Sequence, residues 1–370
     1  MDLSSMHKKI AENEINVYLT AAKKSAPYIG DNGNWFAWNV EEGKHIDTGV
    51  RAEAVSGVYV GSDTPPAGTN VWIDPNGDAS EVIGGVVMSV KDFGAVGDGV
   101  TDDTEALRAA ARCGEMVFFP KGTYIITDSI NAESNINWVG EGEDSIIELR
   151  IGSNKDGTII SVNNFSISIQ GLALNANHSS ASMGYMADCI LTSNIKSVLL
   201  NNVKFIDANM GLSLSGDTNS SVSISNCKVE NCNIGINIHG INGARISNCE
   251  LVYGNGECIG IYQSQNTMIT NVLCANGNSG IAIYESEGTT ISGLVTKSNT
   301  CGILFAECDK TLISGWNCIN DTYAYYLCYG SFTSKEITGT ILGLLSYTTS
   351  EYSVSSGTDA SLFKVNFIGR

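Results

Sequence analysis

The sequence predicts an all-β fold built as a parallel β-solenoid, and three observations carry that expectation. The composition is that of strands and tight turns: 40 Gly, 5 Pro and 16% charged residues, with abundant Asn, Ser, Thr, Ile and Val. The prolines end at Pro120, which leaves the last 250 residues free of a residue that breaks strand ladders. From about residue 130 one phrase recurs: LLNN at Leu200, ISNC at Ile224 and Ile246, ITNV at Ile269, ISGL at Ile291, ISGW at Ile313 and ITGT at Ile337, spaced 24, 22, 23, 22, 22 and 24 residues apart.

Within each interval a second strand signal keeps step: GLSL at Gly211, GINI at Gly235, GIYQ at Gly260, GIAI at Gly280 and GILF at Gly302. A third apolar segment, marked by Val229, Leu251, Leu273 and Val295, lies between them. Three strands per repeat make each repeat one turn of a coil of about 22–24 residues, and stacked coils rise about 4.8 Å per turn around an apolar interior. The Asn two places after each anchor (Asn202, Asn226, Asn248, Asn271) then fall in register, where amides can pair along the axis. Cys227 and Cys249 are expected to form a similar internal column. Eleven cysteines with no C-x-x-C pair read as buried thiols rather than as a disulfide or zinc framework.

Ahead of the repeats, residues 5–24 carry a helical pattern, and the phrases YIGDNGNWFAWN and GVYVGSDTPPAGTNVWIDPNGD read as small β-units with D-N-G and P-N-G turns. In VKDFGAVGDGVTDDTEALRAAARCGEMVFFPKGTYIIT, Asp98 and Gly99 suit a turn, and Asp102 with Glu105 resembles a capping box. Ala106, Leu107, Ala110 and Ala111 give the following helix one apolar face, and Gly114 ends it. These roles account for Asp98, Asp102 and Asp103 without chemistry.

That segment, with VFFPKGTYII after it, resembles the opening signature of the pectate-lyase-like superfamily of right-handed, single-stranded parallel β-helices. The resemblance implies a short N-terminal capping helix over the open end of the coil. The aromatic phrases before it are similar to segments of tail and baseplate-distal proteins in phages of Gram-positive bacteria. Together the resemblances imply an attachment region over residues 1–89, a β-helix over 90–350 whose leading segment 90–126 is the cap, and a C-terminal cap or trimerisation segment over 351–370. They also imply a homotrimer in a virion or prophage particle, bound to other tail or baseplate proteins and engaging a bacterial cell-surface polysaccharide.

Charge and hydropathy narrow the partners. A formal net charge of −18 disfavours nucleic acid, and no apolar run long enough to span a membrane or serve as a signal peptide occurs, so cytoplasmic synthesis is expected. No metal site or cofactor is expected, and Lys228, Arg245, Lys297, Lys310 and Lys335 lie too scattered for the basic cluster of a lyase.

The candidate chemistry lies in GIAIYESE and GILFAECD. Counted from each G-I start, Gln265, Glu285 and Glu307 share one column, and Thr267, Glu287 and Asp309 share another. Carboxylates on adjacent turns suit glycoside hydrolysis, which uses a pair about 5 Å apart for retention or about 6.5–9.5 Å apart for inversion. Two like charges that close would also raise one pKa. Glu285, Glu307 and Asp309 are therefore the catalytic candidates, with Tyr262, Tyr284, Gln265, Glu287 and His239 as substrate-binding candidates. The competing reading makes these acids solvated turn residues, with Lys310 neutralising Asp309, and His239 a surface residue. Glu257, Asp207 and Asp217 read as turn residues, and the run TYAYYLCYG (Tyr323, Tyr325, Tyr326, Tyr329) as further exposed or packed rings. Three functions stay open: a tail protein that binds and cleaves polysaccharide by hydrolysis, a glycan-binding or purely structural β-helix spacer, and a secreted or cellular polysaccharide lyase or hydrolase unrelated to phage.

Overall fold

The computed structural model describes residues 87–151, 155–180, 186–252, 254–328, 337–348, 350–354 and 363–368, together with the strands of the first 86 residues. The helix expected over residues 5–24 lies outside the described residues. The chain divides into two compact units, residues 1–88 and 89–370. The first unit contains two three-stranded sheets. One is an antiparallel meander of Tyr28–Ile29, Asn34–Asn39 and Lys44–Arg51. In the other, Val58–Val60 runs parallel to Val71–Ile73, which pairs antiparallel with Ala79–Glu81.

The second unit is a right-handed parallel β-solenoid. It opens with a 3-10 turn, Val90–Phe93, and a helix α1, Thr104–Cys113, which buries Ala106, Leu107, Ala110 and Ala111. The capping box is at Ser89 and Asp92, not at Asp102 and Glu105. Asp103 occupies the cap position of α1, but its carboxylate turns away to accept the Val96 and Gly97 N–H groups (2.7 and 3.0 Å). Asp102 accepts from the Thr104 N–H at 3.0 Å and the Thr127 hydroxyl at 2.8 Å. The aspartates therefore tie the cap together, as the turn reading required.

Each later coil contributes three short strands, for example Ser279–Tyr284, Thr290–Ser292 and Val295–Lys297. The first strands stack as a ten-stranded parallel sheet that ends at Ser350–Val354. The other two strands of each coil follow one another around a second, larger sheet. Inside, like stacks on like: Ile236, Ile259, Ile281 and Ile303 form one column, and Ile224, Ile246, Ile269, Ile291, Ile313 and, in place of the expected Ile337, Ile341 another. All are buried. Trp316 fills the coil interior and donates its indole N–H to Thr296 at 3.0 Å.

The turns explain the recurring Asn and Gly. Asn202, Asn226, Asn248 and Asn271 all have φ of 54–55°, and Gly293, Gly315 and Gly343 continue the same corner at 62–64°. This left-handed conformation is one that Gly and Asn adopt at low cost. The amide ladder is partial: Asn271 donates to Asn248 at 3.3 Å, whereas Asn226 pairs with Asn201 at 2.8 Å rather than with Asn202. Cys227 and Cys249 do stack, both buried. Nine of the ten described cysteines are buried free thiols.

A carboxyl also sits deep in the interior. Asp321 is 1% exposed and accepts the Asn299 backbone N–H (2.7 Å), the Asn299 amide (2.9 Å) and the Cys318 thiol (2.9 Å). Truncation strands buried donors, each of which costs about 1–3 kcal/mol. Asp321→Ala is expected to lose about 2–4 kcal/mol of stability in denaturant melts, and Asp321→Asn, which keeps an acceptor, clearly less.

Candidate functional site

On the outer side of the ten-stranded sheet, register brings Ser215, His239, Tyr262, Tyr284 and Ala306 into one column at the ends of successive strands. The Tyr262 and Tyr284 rings stack with centroids 4.7 Å apart and planes 7° from parallel. That separation is the strand spacing, so the pair is a ladder along the solenoid axis. Gly260 gives the first ring its seat: a Cβ there would lie 2.6 Å from Tyr262 Cε2. Burial, with a smaller contribution from the Glu257 charge, pushes the Tyr262 hydroxyl up to about 12. Ala306, one turn further on, adds no ring.

The next residue of each coil makes the corner, and here Gly240, Gln263, Glu285 and Glu307 all have φ between 46° and 71°. A side chain longer than Asn costs about 1–2 kcal/mol in this conformation. Gly serves the same corner at Gly240, so the backbone does not require an acid at the later turns. The Gln263 amide donates to Glu285 Oε2 at 2.8 Å. Glu285 is exposed, while Glu307 is only 6% exposed. Ser264, Ser286 and Cys308 turn inward and are buried. Asn242, Gln265, Glu287 and Asp309 then form a second outward column, bridged residue to residue.

The register corrects the expected columns. Gln265 stands with Glu287 and Asp309, and the residue one turn before Glu285 is Gln263. The physical reason is that the GI of GIYQ lies two residues late: Gly260 pairs with Ala282, and Cys258 takes the position held by Gly280 and Gly302 in the following coils. The lysine is also placed differently. Lys310 Nζ pairs with Glu287, which holds the ammonium pKa above its usual range, while Asp309 accepts the Lys310 backbone N–H (2.8 Å) and the Thr338 hydroxyl. Glu285 and Glu307 therefore stand as neighbours on adjacent turns beside the tyrosine ladder, with Glu287 and Asp309 engaged one corner further on. Two carboxyls on backbones about 4.8 Å apart can reach either spacing used in glycoside hydrolysis. Among the described residues no group of three His, Cys, Asp or Glu side chains is placed to hold a metal.

The other residues of the sequence reading separate clearly. Asp217 accepts the Asn219 N–H at 2.8 Å, as a turn residue does. Tyr325 is buried in the core, Tyr323 and Tyr326 are half-buried, and Tyr329 lies outside the described residues.

At the opposite end of the same strands, sequence reasoning missed a polar network. The connection over residues 176–186 carries His178, whose Nδ1 lies 3.3 Å from the Ala187 N–H and whose Nε2 lies 3.4 Å from the Asn233 amide. Asp188, 7% exposed, accepts the Met210 N–H (2.8 Å) and the Asn209 amide (3.1 Å). Asn209, Asn233 and Asn255 continue along the axis at 3.5 and 3.3 Å. Asp207, itself at φ 48°, anchors the connection through the Ser179 hydroxyl (2.6 Å) and the Asn231 amide (2.9 Å). The signal was present in that connection's length, since later coils turn the same corner within residues such as 276–278.

Burial raises the Asp188 pKa above its ordinary 3.8. A carboxyl whose folded pKa is raised contributes stability that is complete below the unfolded value and is lost as pH rises through the folded one. Asp188→Asn should therefore melt above the parent at pH 7, and the difference should close on acidification below the ordinary value; a parent that is the more stable at pH 7 would contradict this account. At the corner, Glu285→Asn should gain about 1 kcal/mol in thermal or denaturant unfolding, because Asn tolerates φ near 46°.

A family profile described as rhamnogalacturonase A/epimerase, pectate lyase-like, matches residues 87–324. The pre-neck appendage protein of Bacillus phage B103 is 38% identical over 76 residues, which is 20% of this chain and 9% of that protein. Among solved structures, the enzymatically active domain of tailspike protein 2 of bacteriophage CBA120 is similar with a TM-score of 0.57 and 15% identity, covering 78% of this chain and 48% of that one. The pre-mature gene product 12 of bacteriophage phi29 gives a TM-score of 0.52 and 20% identity over 70% of this chain and 42% of that one. At these identities the structural likeness is one of fold, and the chain spans less than half of either solved chain and about a tenth of the curated relative.

Proposed function

We infer that this chain, which belongs to the rhamnogalacturonase A/epimerase, pectate lyase-like family, is the β-helical part of a phage or prophage tail protein that engages a bacterial cell-surface polysaccharide. The observation that carries the reading is the tyrosine ladder of Tyr262 and Tyr284 running into Glu285 and Glu307, the two corner positions where the column turns acidic. Aromatic rings beside hydrogen-bonding side chains are what sugar recognition needs, one supplying an apolar surface and the other orientation. Gln263, Gln265 and His239 extend that polar set along the axis. The likeness of fold to a tailspike and to the phi29 gene product 12, with the sequence identity to a phage pre-neck appendage protein, supports the tail assignment.

On this reading the first unit attaches the protein to other tail or baseplate proteins, residues 351–370 cap the coil or join three copies, and the particle is a virion component. Cleavage proceeds as glycoside hydrolysis. One carboxyl of the Glu285 and Glu307 pair donates its proton to the glycosidic oxygen as the C–O bond breaks, and the other assists addition at the anomeric carbon, so that one water is consumed. Asp309, held by Thr338 and the Lys310 backbone, positions the corner. The same engagement of Glu287 and Asp309 favours a second reading, binding without turnover. Hydrolysis is preferred over lyase chemistry because Lys310, the lysine among the described residues at this corner, is tied to Glu287.

The test uses the full chain and polysaccharide extracted from bacterial envelopes. New reducing ends are expected, falling at least about a hundredfold in Glu307→Gln while binding is retained, since a general acid is worth roughly 10²–10⁴ in rate. Full activity in Glu307→Gln would remove the assignment. Binding that weakens in Tyr284→Ala with no reducing ends from the parent would establish the second reading.

A further inference from the structure

Resting on that glycan-binding reading, we propose that the polymer taken at this face is uncharged or carries amino groups, and that the face rejects polysaccharides bearing carboxylate or phosphate. The tyrosine ladder is bordered by four carboxylates on two adjacent turns: Glu285 and Glu287 on one, Glu307 and Asp309 on the next. Adjacent turns lie about 4.8 Å apart, inside a Debye length of about 8 Å at physiological salt, so an approaching charge meets these groups together.

Among the described residues, no lysine or arginine at the corner is left to pair with an incoming acid. Lys310 is paired with Glu287. Arg245 is exposed but two turns before Thr290 in the neighbouring column, with Met268 between them. Lys297 lies at another corner, on the third strand of its coil. The chain as a whole carries a net charge of −18, which deepens the same field.

What the face does offer is complementary to hydroxyls and ammonium groups. An ionised carboxylate only accepts hydrogen bonds, so Glu285 receives sugar hydroxyl or ammonium donors and repels other acceptors. Gln263, Gln265 and Asn266 present neutral amides that both donate and accept, and the Asn266 amide already pairs along the axis with Asn242 at 2.9 Å. Stacked tyrosine rings add an electron-rich surface suited to a cationic amino sugar.

The experiment measures retention of the full chain on mannan, laminarin, chitosan oligosaccharides, polygalacturonate and a glycerol-phosphate teichoic acid, at about 20 mM and 500 mM salt, concentrations at which screening lengths differ severalfold. Retention on one or more of the uncharged or amino-bearing polymers is expected, with affinity for uncharged polymers unchanged by salt. The pair of substitutions Glu285→Gln and Glu287→Gln, which removes two charges and releases Lys310, should raise retention on the two acidic polymers at least threefold. Tight retention on an acidic polymer by the parent, weakened by salt and unaltered by the double variant, overturns the charge assignment while leaving glycan binding standing. No retention on any polymer at either salt overturns the glycan reading itself, and this inference with it.

Discussion

The whole structure depends on the backbone hydrogen bonds that each coil makes to the next. A residue at a corner donates one turn forward: Asn226 to Ser247, Asn248 to Thr270, Asn271 to Ser292 and Gly293 to Ser314, all at 2.9–3.0 Å. Because each N–H and C=O is satisfied by an equivalent residue one turn away, coils must keep the same path, and side chains must fall into columns. Interior columns become isoleucine ladders, and corner columns are restricted to residues that tolerate positive φ. The connection between the strands Ala173–Asn175 and Ala187–Ser193 is longer than its counterparts in later coils.

That restriction is what gives the outer face its meaning. In a column where Gly240 shows glycine to be sufficient, Gln263, Glu285 and Glu307 accept a strained backbone to place long polar side chains. The strand residue just before each corner points outward, so His239, Tyr262 and Tyr284 stand beside them. The scaffold thus holds aromatic and acidic groups on a rigid sheet edge rather than on mobile connections, and it repeats the arrangement at the strand spacing, which suits a polymeric ligand.

Asp321 and Asp188, two of the buried carboxyls, show the same architecture handling polarity in opposite surroundings. Asp321 lies in the interior with two N–H donors and a thiol around it. Asp188 lies at the sheet edge, where backbone and amide donors, His178 and the anchored connection enclose it. Both accept hydrogen bonds from residues about one coil away, Asp321 from Asn299 and Asp188 from Asn209 and Met210. The acids of the outer face differ: Glu285 and Glu287 remain exposed.

The sequence by itself determined the solenoid. Its period, its strand signals and its corner asparagines are all consequences of one coil resting on the next, and a one-dimensional repeat is visible in one dimension. It also located the acidic corner at Glu285 and Glu307 and the rings at Tyr262 and Tyr284. Only the tertiary structure decided which residues are true neighbours. A two-residue offset at Gly260 moved Gln265 out of the Glu285 column and put Gln263 in its place, because register follows interior packing rather than the nearest glycine. The partnership of Lys310 with Glu287 and the meeting of His178, Asn233 and Asp188 were likewise hidden, since each joins residues from different coils through side-chain reach, which spacing does not encode.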